Sequence, residues 1–172
     1  MLKPAVLFEQ ALQQKNMENW HNQDDIYYSD YNYKIKISED TWEQHQFVSL
    51  DKKSDIIGYI SYKIDRVAMS VSRLRIISYD KGNIQFVKDV IQVIDDIFYK
   101  YNFNRLEWFA YVDNPATKGY RKFIKRFGGR ECGYYRQVSK MQNGELGDGV
   151  RFEILKSDFN KNKFKNSLDI CD

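Results

Sequence analysis

The chain has 172 residues, 42% hydrophobic and 16% aromatic, with 27 basic against 24 acidic side chains for a net charge of +3. This composition excludes intrinsic disorder over most of the length and suits one compact domain. No apolar run approaches the ~20 residues that span a bilayer, and a charge so near neutral does not point to nucleic acid.

The two cysteines, Cys132 and Cys171, come without a Cys-x-x-Cys or Cys/His cluster, so neither a disulfide framework nor a structural zinc site is expected. That usage suits a reducing cytoplasm. Glu9 and Gln10 interrupt the first apolar residues too early for a secretory leader, and no export is expected.

In chain order, Ala5, Leu7, Phe8, Ala11, Leu12, Met17 and Trp20 predict an amphipathic helix over 5–20, opening after Pro4. Residues 22–41 are polar and tyrosine-rich (Tyr27, Tyr28, Tyr31, Tyr33) and read as loop with short elements. Three antiparallel strands follow, at Phe47–Leu50, Ile56–Ile64 and Val71–Tyr79. Alternation in the third puts Arg73, Arg75, Ile77 and Tyr79 on one side, with Ser72, Leu74, Ile76 and Ser78 on the other.

A turn at Asp80-Lys81-Gly82-Asn83 leads into a long helix with Phe86, Val87, Val90, Ile91, Ile94, Ile97, Phe98 and Tyr101 at helical spacing. Leu106, Trp108, Ala110 and Val112 then alternate with Glu107, Phe109 and Tyr111 as in a strand. Strand, helix, strand in that order favours parallel pairing. A second helix over 116–127 carries Tyr120, Phe123, Ile124 and Phe127 on one face and stops at Gly128-Gly129. Its other face is a basic stripe of Lys118, Arg121, Lys122, Lys125 and Arg126; with no nucleic-acid motif beside it, it is read as a solvated face or a phosphate attractor. Arg130–Lys140 and Gly149–Lys156 predict a closing hairpin. Residues 1–157 are expected to form one domain, with 1–45 as its N-terminal helical, acceptor-side segment and 158–172 as a frayed tail.

Over residues 46–156 this order of elements resembles the GNAT superfamily of N-acetyltransferases. Local features carrying the resemblance are Leu74-Arg75-Ile76-Ile77-Ser78 running into Asp80-Lys81-Gly82-Asn83, and Asn114-Pro115-Ala116 opening a helix that closes in Phe127-Gly128-Gly129. The resemblance implies an α/β fold with a mixed, mostly antiparallel sheet of six to seven strands and helices on both faces. It implies acetyl-CoA as cosubstrate and a primary amine as acceptor, with direct attack and no metal. Lys81, Gly82, Asn83 and Ile84 would hold the diphosphate with main-chain amides at a helix N-terminus, where anions are favoured. Lys118 would attract the 3′-phosphate. Ile76, Ile77 and Ser78 would offer main-chain groups to the pantetheine arm between two splayed strands.

Asn114 and Tyr120 would attend the sulfur, with Tyr120 as the acid, and Glu107 is the candidate base. Two positions depart from the family's Gln/Arg-x-x-Gly-x-Gly/Ala loop: Tyr79 stands where Gln or Arg is usual, and Ile84 where Gly or Ala is usual. The competing reading is therefore a GNAT-like binding module with impaired catalysis. For Tyr120 the alternative is a plain core aromatic, and for Glu107 a carboxylate paired with Arg75 or Arg105. His21 and His45 are read as surface or packing residues. A cytoplasmic location is expected, membrane and nucleic-acid partners are not, and a homodimer stays open.

Overall fold

A computed structural model describes residues 1–20, 34–141 and 144–159. The tyrosine-rich stretch at 27–33, His21 and the residues after 159 lie outside the described residues.

Seven strands form one sheet in the order β1-β2-β3-β4-β5-β7-β6. They are β1 (Leu2–Pro4), β2 (Gln44–Leu50), β3 (Ile56–Asp65), β4 (Ser70–Ser78), β5 (Arg105–Tyr111), β6 (Arg130–Lys140) and β7 (Leu146–Leu155). Every neighbouring pair is antiparallel except β4 with β5. Parallel neighbours need a crossover, and α2 (Ile84–Asp95) supplies it. Ahead of β2 comes α1 (Glu9–Trp20), entered through a 3₁₀ turn over Ala5–Phe8; α3 (Pro115–Phe127) lies between β5 and β6. The expected mixed, mostly antiparallel α/β sheet is present, with seven strands. β1 is additional: three residues ending in proline carry no periodic signal, and they are fixed by pairing with β2 at Leu2↔Ser49 through Pro4↔Phe47.

Both helices that flank β5 begin on an asparagine cap. The Asn83 side chain accepts from the Phe86 amide (3.1 Å) and that of Asn114 from the Ala116 amide (2.8 Å), each filling one of the orphan donors of a first turn. α2 ends in a π-helical turn over Asp96–Lys100. Asp89 of α2 is buried and accepts from Ser49 Oγ (2.7 Å), Gln85 Nε2 (2.8 Å) and the amino group of Met1 (3.0 Å), which ties α2 to β2.

Two cores sandwich the sheet. On one face α2 and α3 pack Phe86, Ile94, Phe98 and Phe127 against Ile60, Leu74, Leu106, Trp108 and Phe152. On the other, α1 covers Val48, Leu50 and Tyr59, with Ile77 and Tyr79 of the β4 end at its margin. Among the described residues that second core holds none of β5, β6 or β7, so Glu107, Phe109 and Tyr111 stay half-buried on a half of the sheet that no described helix covers. Phe159 is buried against Phe98 and Phe127, so the first core reaches two residues into the segment read as tail.

The Gly128-Gly129 stop is built from main-chain geometry that other residues resist. Gly128 has φ +90° and Gly129 φ +107°, and a methyl group on Gly128 would collide with the main-chain carbonyl of Asp158. Gly128→Ala is expected to cost about 3 kcal/mol through the backbone conformation and the clash, lowering Tm by roughly 10 °C in a chain of this size. Calorimetric unfolding of the variant checks this.

Candidate active site

β4 and β5 pair at Ser70↔Arg105 and Val71↔Leu106 and then part, with no ladder between Ser72–Ser78 and Glu107–Tyr111. The cause sits in β4. Ser61 and Lys63 of β3 pair with Arg75 and Ser72, so the stretch from Ser72 to Arg75 holds one residue more than its partner, and Arg73 takes φ +53°. That is a β-bulge, which bends its strand and increases local twist. Val71, Leu74 and Ile76 all face the α2/α3 core although strict alternation would separate Val71 from Leu74; the extra residue resets the parity.

The gap is lined by main chain. The Tyr79 amide donates to Ile57 O (3.0 Å) in β3, and Tyr59 pairs with Ile77. By alternation the main-chain groups of Ile77 are turned to β3, whereas those of Ile76 and Ser78 face the gap. Of the three residues expected to serve the arm, Ile77 is therefore corrected to a β3 partner, and Ile76 and Ser78 remain.

At the end of β4, Ser78 Oγ donates to Asp80 O (2.9 Å) and Asn83 Nδ2 to Asp80 Oδ2 (2.7 Å), which braces the turn. Gly82 has φ +82°, and nothing lies within 4 Å of where a Cβ would stand, so the backbone is open to close approach. The amides of Ile84 and Gln85, in the first turn of α2, have no intrahelical acceptor. Lys81 is exposed beside them. Free amides, an open glycine and a cation fit the diphosphate of a coenzyme A tail. Tyr79 plays no part in this cradle: its ring is turned under α1, its hydroxyl lies 3.3 Å from Asn16 Oδ1, and burial pushes its pKa up.

Across the gap, Trp108 of β5 stacks on Phe152 (centroids 5.3 Å apart) and meets the edge of Tyr120 from α3 (5.8 Å). Burial pushes the Tyr120 phenol up to about 12, and its hydroxyl has no hydrogen-bond partner among the described residues. The Asn114 amide oxygen is committed to capping α3. Thr117 Oγ1 donates to Tyr111 O (2.7 Å) and seats the helix on the strand end. Lys118 is exposed on the first turn of α3, and Arg121 of the basic stripe pairs with Glu131 (2.7 Å).

Glu107 is not brought together with Tyr120. Its strand neighbour Trp108 faces α3, so Glu107 points to the opposite side of the sheet. There it pairs with Arg105 (2.7 Å) and lies 3.9 Å from Arg151, while Glu153 takes Arg105 (3.2 Å) and Arg130 (2.7 Å). The carboxylate is a tie in a five-residue ion network, which corrects its reading as the base. Glu107→Gln is expected to lower stability by about 1 kcal/mol and leave the pH dependence of kcat/KM unchanged. A general base in that position would instead take 10²-fold or more with it.

A cavity of about 660 Å³ opens on the uncovered half of the sheet, lined by Tyr134, Tyr135, Arg136, Gln137, Val138 and Asp148. It adjoins the end of β5, because the Val112 amide donates to Asp148 O (3.0 Å). Asp148 accepts from the Tyr134 hydroxyl (2.5 Å) and the Gln137 amide (2.7 Å), and these bonds hold its carboxyl below the usual range. Arg73, Trp108 and Asp148 carried no signal as candidate site residues in the sequence, since a bulge, an unpaired indole and a carboxylate held by an irregular stretch of β6 leave no spacing signature. His45 is a packing residue: its Nδ1 lies 2.7 Å from the Tyr62 hydroxyl and its ring meets Phe47 and Tyr101.

No group of three or more His, Cys, Asp or Glu side chains that could hold a metal ion occurs among the described residues. Among the same residues no helix is long and apolar enough to cross a membrane.

No protein-family model and no curated protein sequence matches the chain. Solved structures do. A point variant of the spermidine N-acetyltransferase SpeG from Vibrio cholerae is 18% identical with a TM-score of 0.71, over 94% of this chain and 99% of that one. The Vibrio cholerae spermidine N-acetyltransferase in complex with CoA and spermine is 18% identical with a TM-score of 0.70, over 92% and 96%. SpeG from Vibrio cholerae in complex with manganese ions is also 18% identical, with a TM-score of 0.68 over 91% and 92%. A likeness along almost the whole of both chains, together with a parallel strand pair that opens beyond its first two rungs, shows that this chain has the fold of the GNAT N-acetyltransferases.

Proposed function

We propose that the chain transfers an acetyl group from acetyl-CoA to a primary amine, and the observation that carries this is the open β4/β5 pair with the free amides of α2 at one end. When bound, acetyl-CoA supplies the acetyl group as an activated thioester. Lys81, the open backbone at Gly82 and the amides of Ile84 and Gln85 hold its diphosphate, while Asn83, whose amide donates to Asp80 O (3.3 Å) and whose side chain caps α2, shapes the turn instead of touching the ligand; the main-chain groups of Ile76 and Ser78 pair with its arm as a missing strand would. The amine nitrogen bonds to the acetyl carbon, the C–S bond breaks with its electron pair going to sulfur, and the proton shed by nitrogen ends on that sulfur. Tyr120 donates a hydrogen bond to the departing sulfur.

The amine comes from the uncovered half of the sheet, where the ionised Asp148 offers a counter-charge beside aromatic walls. The structural neighbours are spermidine enzymes by name, so polyamines head the list of acceptors. A cosubstrate made and consumed inside cells supports a cytoplasmic location.

Ile84 in place of a small residue favours a second reading, a module that binds CoA without turnover. Two measurements separate the readings. Acetyl-CoA at ~100 times its Kd is expected to stabilise the fold by roughly 2.7 kcal/mol. A thiol reagent should then report free CoA when spermidine, spermine or other amines are added. Stabilisation without thiol release over a broad amine panel leaves the module; calorimetry that detects no binding of acetyl-CoA removes both readings.

A further inference from the structure

Trp108 is 4% exposed, and its Nε1–H is buried with no hydrogen-bond partner among the described residues. An indole N–H in a dry core costs free energy unless something accepts from it. Its place in the fold says what could. Trp108 stands two residues beyond Leu106, the last β5 residue paired to β4. Continuing that register would set it opposite Arg73, the residue whose φ of +53° turns β4 away. The residue that carries the orphan donor thus lies at the level where the two strands part, and the ring of Tyr120 touches its ring. The indole N–H is the buried donor without a partner here, and half-buried Tyr120 adds a phenol on the contacting ring.

On the reading of the site given above, we infer that Trp108 is a binding residue for the cosubstrate: its indole N–H donates to an amide carbonyl oxygen of the pantetheine arm. A neutral hydrogen bond of this kind corresponds to about 3–10-fold in affinity.

The probes are CoA, which carries the arm, and adenosine 3′,5′-bisphosphate, which lacks it. Wild-type chain labelled with ¹⁵N is expected to show one indole N–H resonance, assigned to Trp108 by its loss in Trp108→Phe, that moves downfield on CoA and stays still with the bisphosphate. By calorimetry, Trp108→Phe should bind CoA about 3–10-fold more weakly and the bisphosphate as tightly as wild type. A purely structural role would weaken both ligands together and overturns the inference, as does a resonance that CoA leaves in place. If Trp108→Phe does not fold, the wild-type resonance decides alone, assigned then from Trp20→Phe and Trp42→Phe. Wild type that binds no CoA at all brings down the functional reading and this inference with it; CoA binding with an unmoved Trp108 signal brings down the inference only.

Discussion

Tyr120→Phe is expected to lower kcat about 10–100-fold while leaving the Kd for CoA and the folded stability unchanged. The phenol is pushed up to about 12 by burial, whereas an ordinary thiol sits near 8.5. Full transfer of the phenolic proton to the leaving sulfur is uphill by roughly 3.5 pK units, about 5 kcal/mol. Tyr120 therefore works as a hydrogen-bond donor to the charge developing on sulfur, an interaction worth about 1.5–3 kcal/mol, and the sulfur takes its proton from the one the amine gives up. The ring contributes packing on Trp108 and Phe152, which phenylalanine keeps. The deleted hydroxyl has no protein partner among the described residues to leave stranded.

The folded-state pKa of Tyr120 lies above the unfolded value near 10, so the phenol stays protonated up to about pH 11 and an alkaline limb below that pH belongs to another group. Steady-state kinetics over pH 6–10 check both statements. A variant that loses stability in parallel with rate, or a basic limb that vanishes in Tyr120→Phe, would contradict this role.

The parts of the fold written in periodicity were legible from the sequence. Phe86 to Phe98 and Tyr120 to Phe127 repeat at helical spacing because one face of each helix must be buried, and Asn83 and Asn114-Pro115 announce where those helices begin. Alternation likewise set Leu74 and Ile76 against Ile77 and Tyr79, and Glu107 against Trp108, on the sides where the structure has them. What stayed hidden depends on main-chain geometry or on distant partners. Arg73 looks like any exposed strand residue, yet its conformation makes the bulge beside which the sheet opens. Glu107 looks like an available base until Arg105 and Arg151 are found beside it. The uncertain loop motif illustrates the same divide: Ile84 breaks the sequence pattern, while the amide it carries is still free at the helix start.

Deleting Arg73 is expected to weaken CoA binding on the order of 100-fold in a chain that still folds. With that residue gone, Val71, Ser72, Leu74, Arg75 and Ile76 alternate without interruption. Val71, Leu74 and Ile76 keep their places in the α2/α3 core, and the ladder to β3 from Ser72↔Lys63 to Arg75↔Ser61 becomes regular. The left-handed conformation at Arg73, which costs a non-glycine residue about 1 kcal/mol, disappears, so Tm should hold or rise. With no bulge to bend it, β4 can continue its parallel pairing with β5 past Val71↔Leu106, and the main-chain groups of Ile76 and Ser78 turn to β5. Losing two or three main-chain bonds to the arm, about 1 kcal/mol each, should weaken CoA on the order of 100-fold. Binding of adenosine 3′,5′-bisphosphate at the α2 terminus should persist. Calorimetry with both ligands, alongside thermal unfolding, reads all three expectations. If the deletion variant folds and binds CoA as tightly as wild type, the bulge is not what holds the two strands apart, and the parting must instead come from the way α2 and α3 wedge between the strand ends.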